Sequence, residues 1–363
     1  MEPNETIVET AQTPETSEEA APEVKMVWRR YYESADALKF WLMPFVCIAC
    51  FGFPTRFGGE IAALSGFAPL CFFILCGFFT LTGEEDEQRR LKKGIRRCAY
   101  MFGLMFAVCF VLNVIACLIN GVEFLPLFRA LFSKRLVFNF LVLCAWPFPM
   151  GESLWFIQSL LYAYIGLYLL NHLKLPFIRP VLLILCTVLM LVSGEFAGVA
   201  GFRFFGAPYL PPNVFTRALP YLLLGSMLRK HKETLRQRKA WVYLLMAPVG
   251  LALAAGEFTL LSHAGLLINT SHAIGLGLTA FGLCTWMLLY VELRPNFFSY
   301  MGRPVARRVY LLSQPIALLL LLLVSALSQA LTLFVQTLGG LIVYPLCLGL
   351  ALLGGRAHKG QIL

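Results

Sequence analysis

Seven ionisable residues stand at the edges of otherwise apolar runs in this chain: Glu152, Glu195, Arg203, Arg217, Glu257, His263 and His272. Carboxylates and imidazoles take and give protons near neutral pH, and arginine holds anionic oxygens. At the boundary of apolar sequence such groups are costly unless paired or wet, which makes them candidates for chemistry. Snorkelling at an interface is the plainer role open to each one singly. The 11 cysteines lie mostly inside apolar runs, where a cysteine usually packs as a small hydrophobe. They show no histidine spacing of a zinc site, so no metal is expected.

The elements that must position these groups are membrane helices. The chain is 59% hydrophobic and only 14% charged, with mean hydropathy +0.73, where a soluble domain carries about 25% charged residues. Such a chain cannot cover its surface with polar groups in water. A span needs about 20 apolar residues. Ten runs qualify: 40–55, 61–82, 98–119, 153–171, 178–198, 214–228, 240–260, 272–291, 309–328 and 332–353. A further run, 136–150, is short and carries Pro147 and Pro149, which interrupt helix.

The positive charges settle that last run. If it does not cross and the N-terminus is cytoplasmic, all of the 30 Lys and Arg residues lie inside except Arg56, Arg129, Lys134, Arg135, Arg203 and Arg217. If it crosses, the clusters at 229–239 and 294–308 face outside, against the positive-inside rule. The expected fold is therefore an all-α integral membrane protein of about ten transmembrane helices with both termini cytoplasmic. The 136–150 run is then re-entrant or lies at the outer interface, packed on protein or lining a cavity. The seven ionisable residues at the edges of the apolar runs would gather at the outer ends of the spans. Trp241, Tyr300 and Tyr310 read as an aromatic belt.

Residues 1–24 hold seven Glu and no Lys or Arg, the composition of a disordered acidic tail and not of a secretory signal. The expected organisation is a tail at 1–28, one polytopic membrane domain at 29–355 and a short cytoplasmic tail at 356–363. The net charge of +10 comes from juxtamembrane clusters, which argues against nucleic acid as a partner and for membrane lipids.

Six segments, in order, resemble a known family. They are RYYESADALKFWLMPFVCIACFGFP, SGFAPLCFFILCGFFTL, RRLKKGIRR, GESLWFIQSLLYAYIGLYLL, TRALPYLLLGSMLRK and FFSYMGRPVARRVYLLSQPI. In order and spacing they are similar to the acyltransferase 3 family of ten-span membrane acyltransferases, over nearly all of residues 30–350. The resemblance implies an acyltransferase-3-like bundle in the cytoplasmic membrane. It implies an acyl-CoA-type donor as substrate, no bound cofactor, and an envelope glycan or glycolipid as acceptor. The family's first span carries an Arg and, eleven positions on, a catalytic His. Here those positions hold Lys39 and Cys50, and the chain has no His before His172. The family's Ser-Gly becomes Cys76–Gly77, and its final Leu-His becomes Leu312–Ser313. Gly77, Arg97, Trp155, Arg217, Gly225 and Tyr310 fit the pattern. The resemblance thus implies substrate binding by Lys39, Arg97, Trp155, Arg217 and Tyr310.

Acyl transfer from a thioester to a hydroxyl needs a base and donors for the developing oxyanion. With the family His replaced, Cys50 could act as a covalent nucleophile, or Glu152, Glu257 or His272 could replace the base. Catalysis could also be altered or lost. A transporter or flippase for lipid-linked substrates, or a catalytically silent scaffold of the same fold, are the competing expectations.

Overall fold

The computed structural model describes residues 20–53, 57–83, 86–119, 121, 128–129, 133–144, 154–172, 177–200, 213–266, 273–325 and 329–356. Among them the protein is helical, with no strand. The helices are α1 (Ala20–Phe51), α2 (Gly58–Leu64), α3 (Phe67–Thr80), α4 (Glu87–Ile119), α5 (Lys134–Leu143), α6 (Trp155–His172), α7 (Ile178–Met190), α8 (Ala197–Ala200), α9 (Leu219–Lys230), α10 (Lys232–Arg236), α11 (Ala240–His263), α12 (Ile274–Leu289), α13 (Phe297–Ser325) and α14 (Gln329–Arg356). Two wide π turns, Leu191–Glu195 and Val214–Ala218, extend α7 and open α9.

Among the described residues five helical stretches are long and apolar enough to cross a membrane: Glu33–Phe51, Gly58–Thr80, Glu87–Ile119, Ala240–His263 and Val305–Val324. Ile178–Ser193, Ile274–Leu289 and Leu338–Leu353 are apolar but shorter. The composition of these helices marks a membrane protein. Helix α5 has ten residues, a rise of about 15 Å, half the thickness of a hydrocarbon core. It ends at Cys144 in the left-handed conformation, and the rest of the 136–150 run lies outside the described residues. So do residues 1–19 and 357–363 of the expected tails. Helix α1 begins at Ala20.

Apolar surface gains nothing by leaving lipid for another helix, so close backbone packing carries the assembly. Glycines allow it. Gly77 of α3 faces Leu222 of α9, and Gly225 of α9 faces Ile74 of α3; a Cβ on either would overlap the opposite carbonyl. Gly250 and Gly275 join α11 to α12 in the same way, and Gly302 sets α13 against the Asp36 carbonyl of α1. Gly339 and Gly340 of α14 receive the end of α1 at Phe51 and Gly52.

A buried charge node joins α4, α6 and α7. The Glu87 carboxylate is buried. It accepts from the Gly83 backbone N–H at 2.7 Å and from the Asn171 amide at 2.7 Å, and it pairs with Arg179. Arg179 also donates to the Asn171 Oδ1 at 2.9 Å. The first turn of α4, the end of α6 and the start of α7 are thereby clamped, with the carboxylate at a helix N-terminus where its charge is favoured. Glu87→Ala would leave a guanidinium and an amide without their acceptor. It should cost about 3 kcal/mol, read as a lower thermal midpoint in detergent, and Glu87→Gln should recover part of it.

Candidate functional site

Arg217 sits in the second π turn. Asn213 caps that turn: its Oδ1 accepts from the Phe215 and Thr216 N–H groups at 2.8 and 3.1 Å, and the Thr216 hydroxyl accepts from the Asn213 N–H at 3.1 Å. Pro220, four residues after Thr216, has no N–H to close a regular α turn on the Thr216 carbonyl. The wide turn absorbs that gap. Single π turns of this kind recur at functional sites.

The turn places Arg217 inside the bundle, only 5% exposed. Its guanidinium carbon lies 5.4 Å from the centroid of the Trp155 ring. Its Nε has no hydrogen-bond partner. Arg217 also lies within electrostatic range of Tyr221 and Cys50. The Tyr221 hydroxyl is turned to the Met190 sulfur, 3.8 Å away, at the end of α7 where the other π turn begins.

An aromatic wall backs the arginine. Trp155 packs on Phe73 and Phe156 at 6.0 and 6.1 Å between centroids, and Phe156 packs on Tyr310 at 5.6 Å. The Tyr310 hydroxyl meets the backbone N–H of Ile157 in the first turn of α6 and stands within electrostatic range of Cys50. Of the three residues expected in an aromatic belt, Trp241 and Tyr300 are exposed. Tyr310 is not a belt residue: it is half-buried against Phe156, because α13 packs along α1 and turns this ring inward.

Cys50 is an exposed thiol at the end of α1, not in the interior of a span. The reason is Gly52, whose φ of 84° is the left-handed conformation that ends a helix; its N–H closes the last turn on the Ile48 carbonyl at 2.9 Å. Lys39 lies eleven residues earlier on the same helix, so it shares the Cys50 face but is about 16 Å away along the axis. There it pairs with the buried Asp36 at 2.8 Å and rests 5.8 Å from the Phe79 ring centroid. Cys76 lies within electrostatic range of it, and the Tyr164 and Thr80 hydroxyls are 3.3 Å apart.

The site candidates therefore divide. Arg217, Trp155 and Tyr310 are linked through Phe156, and Cys50 lies within electrostatic range of Arg217 and Tyr310. Lys39 forms a second polar centre lower on α1. Arg97, on α4, keeps company with Arg307 and Arg308 of α13, and Arg308 donates to the Ala351 carbonyl at 3.0 Å. Glu152 and His272 lie outside the described residues, as does Arg203. Of Glu195 only the backbone is described. Glu257 accepts from the Gly275 N–H at 3.2 Å and so caps the start of α12, while His263 is exposed at the end of α11.

Two features went unread in the sequence. Glu87 looks like one more member of a charged turn, since its partners are far along the chain. Cys47 and Cys50 form a CxxC pair in which Cys47 is buried, within electrostatic range of Cys50 and Cys347. The pair occupies the last turns of a helix, the negative end of its dipole, where a thiolate is disfavoured. Among the described residues no group of His, Cys, Asp and Glu could hold a metal ion. No family model, no curated protein and no solved structure matches this chain.

Proposed function

We propose that the protein is a ten-span acyltransferase of the cytoplasmic membrane with both termini inside. It moves an acyl group from an acyl-CoA-type donor to a hydroxyl of an envelope glycan or glycolipid. The observation that carries this is the linkage of Arg217, Trp155 and Tyr310 through Phe156, with Cys50 in electrostatic range, four positions drawn from distant parts of the chain by the family-like segments. Arg217 holds the acceptor, Trp155 supplies a flat apolar face for a sugar ring, and Tyr310 fixes the wall behind them. The acceptor hydroxyl loses its proton as it attacks the thioester carbonyl, and the thiol of the donor leaves with a proton.

The Cys50 position is where the base belongs, and a thiol at the negative end of a helix serves badly there. Glu152 or His272 then takes the proton, and transfer is direct from donor to acceptor. Transfer of labelled acyl-CoA into envelope material, measured in membranes, tests this. Cys50→Ala should leave the rate within about threefold, and Cys50→His should raise it about tenfold or more, the usual contribution of a positioned base being 10²–10⁴. Loss of all transfer in Cys50→Ala would establish a covalent acyl-cysteine route instead. No transfer by the native protein with any envelope acceptor, together with substrate movement across proteoliposomes, would replace the enzyme by a transporter.

A further inference from the structure

Among the described residues no acidic side chain pairs with Arg217, and its buried Nε has no hydrogen-bond partner. Taking a lone cation out of water costs several kcal/mol even after relaxation. A tryptophan face returns roughly 0.5–2 kcal/mol, which does not offset it. Of the polar groups beside it among the described residues, Asn213 and Thr216 cap the π turn, Tyr221 is turned to Met190, and Cys50 stands at the C-terminal end of α1, where a thiolate is disfavoured. A fold keeps such a group where a ligand brings the missing charge.

The structure assigns Arg217 to an oxyanion. Resting on the acyltransferase function above, the acceptor is then an anionic glycan or glycolipid, whose phosphate or carboxylate is held by the guanidinium with its sugar against Trp155. A neutral sugar would leave the charge uncompensated. The same oxyanion could be borne by a soluble headgroup or by a lipid, and the two are separable by experiment.

The test uses the full-length protein in nanodiscs of a zwitterionic lipid. Its thermal midpoint is read with inorganic phosphate, or with phosphatidylglycerol built into the disc, each against chloride at equal ionic strength. A rise of about 3 °C or more is expected in at least one arm. A rise with phosphate points to a soluble oxyanion, and a rise only with phosphatidylglycerol to a lipid-borne one. Arg217→Met should lose the rise, and in the anion-free neutral disc its midpoint should lie above that of the native protein, because an uncompensated buried charge has been removed. Arg217→Lys should keep a smaller rise. If neither arm moves the native midpoint, or if Arg217→Met responds as the native protein does, the assignment is wrong. Anion binding that survives in a protein with no acyl transfer would uphold the site and remove only the acyltransferase function.

Discussion

Replacing Gly77 by valine is expected to prevent assembly of the helical bundle, with monodisperse protein extracted from membranes falling about tenfold or more. Gly77 and Gly225 form one contact between α3 and α9. The atoms that an added side chain would strike are the Leu222 carbonyl in one case and the Ile74 carbonyl and Phe78 nitrogen in the other. These are backbone atoms inside helices and cannot rotate away. The helix axes would have to separate, and the dispersion contacts that hold helices together in lipid would be lost along the whole seam. Overpacking of this kind belongs to the most destabilising class of single substitutions. Gly225→Val should behave alike. Gly103→Val is the control, since nothing lies within 4 Å of a Cβ there, and its effect should stay within about 1 kcal/mol. Size-exclusion profiles of the three variants in mild detergent would check this; a normal profile for Gly77→Val would mean that α3 and α9 do not meet as described.

Arg217→Ala is expected to lower kcat/KM for acyl transfer about a hundredfold, with most of the loss in the acceptor KM. Truncating one member of a buried charged contact removes 2–5 kcal/mol of binding, and each 1.4 kcal/mol is tenfold. The division between constants is diagnostic. Arg217 sits in an element separate from the Cys50 position, so removing it takes away acceptor binding and leaves donor KM within about twofold. Arg217→Lys should recover about tenfold, because the charge returns but the planar two-toothed contact does not. An unchanged acceptor KM, with kcat alone reduced, would move Arg217 from acceptor binding to stabilisation of the transition state.

Much of the fold was legible because lipid makes apolar length a direct signal. The stretches 98–119 and 240–260 fall inside α4 and α11, two of the helices long enough to cross. The shorter segments were harder. Helix α12 has 16 residues, about 24 Å of rise, and its expected start at 272 lies outside the described residues. The run at 178–198 looks like one helix in sequence, but Ser193 bonds back to the Leu189 carbonyl, which loosens the α pattern, and a π turn follows from Leu191. The π turn at Arg217 had a visible cause in Pro220, yet a proline near a helix start usually signals nothing unusual.

The site was legible in part, for a related reason. Trp155 and Arg217 were singled out by order and spacing, and their contact needs tertiary structure to be seen. Lys39 and Arg97 carried the same kind of signal and keep other company, Asp36 in one case and Arg307 in the other. The Glu87 clamp escaped because its side-chain partners are 84 and 92 residues away, and no local pattern distinguishes a carboxylate with distant partners from a solvated one.

The spacing of Lys39 and Cys50 on one face of α1 acts as a ruler. A molecule that touches both must be extended over about 16 Å, roughly half the thickness of the hydrocarbon core. An acyl group alone is too short unless its chain is long, whereas one carried on a flexible thiol arm reaches readily. Under the proposed acyl transfer, α1 would therefore select ligands by length before any group at the Arg217 end selects them by charge.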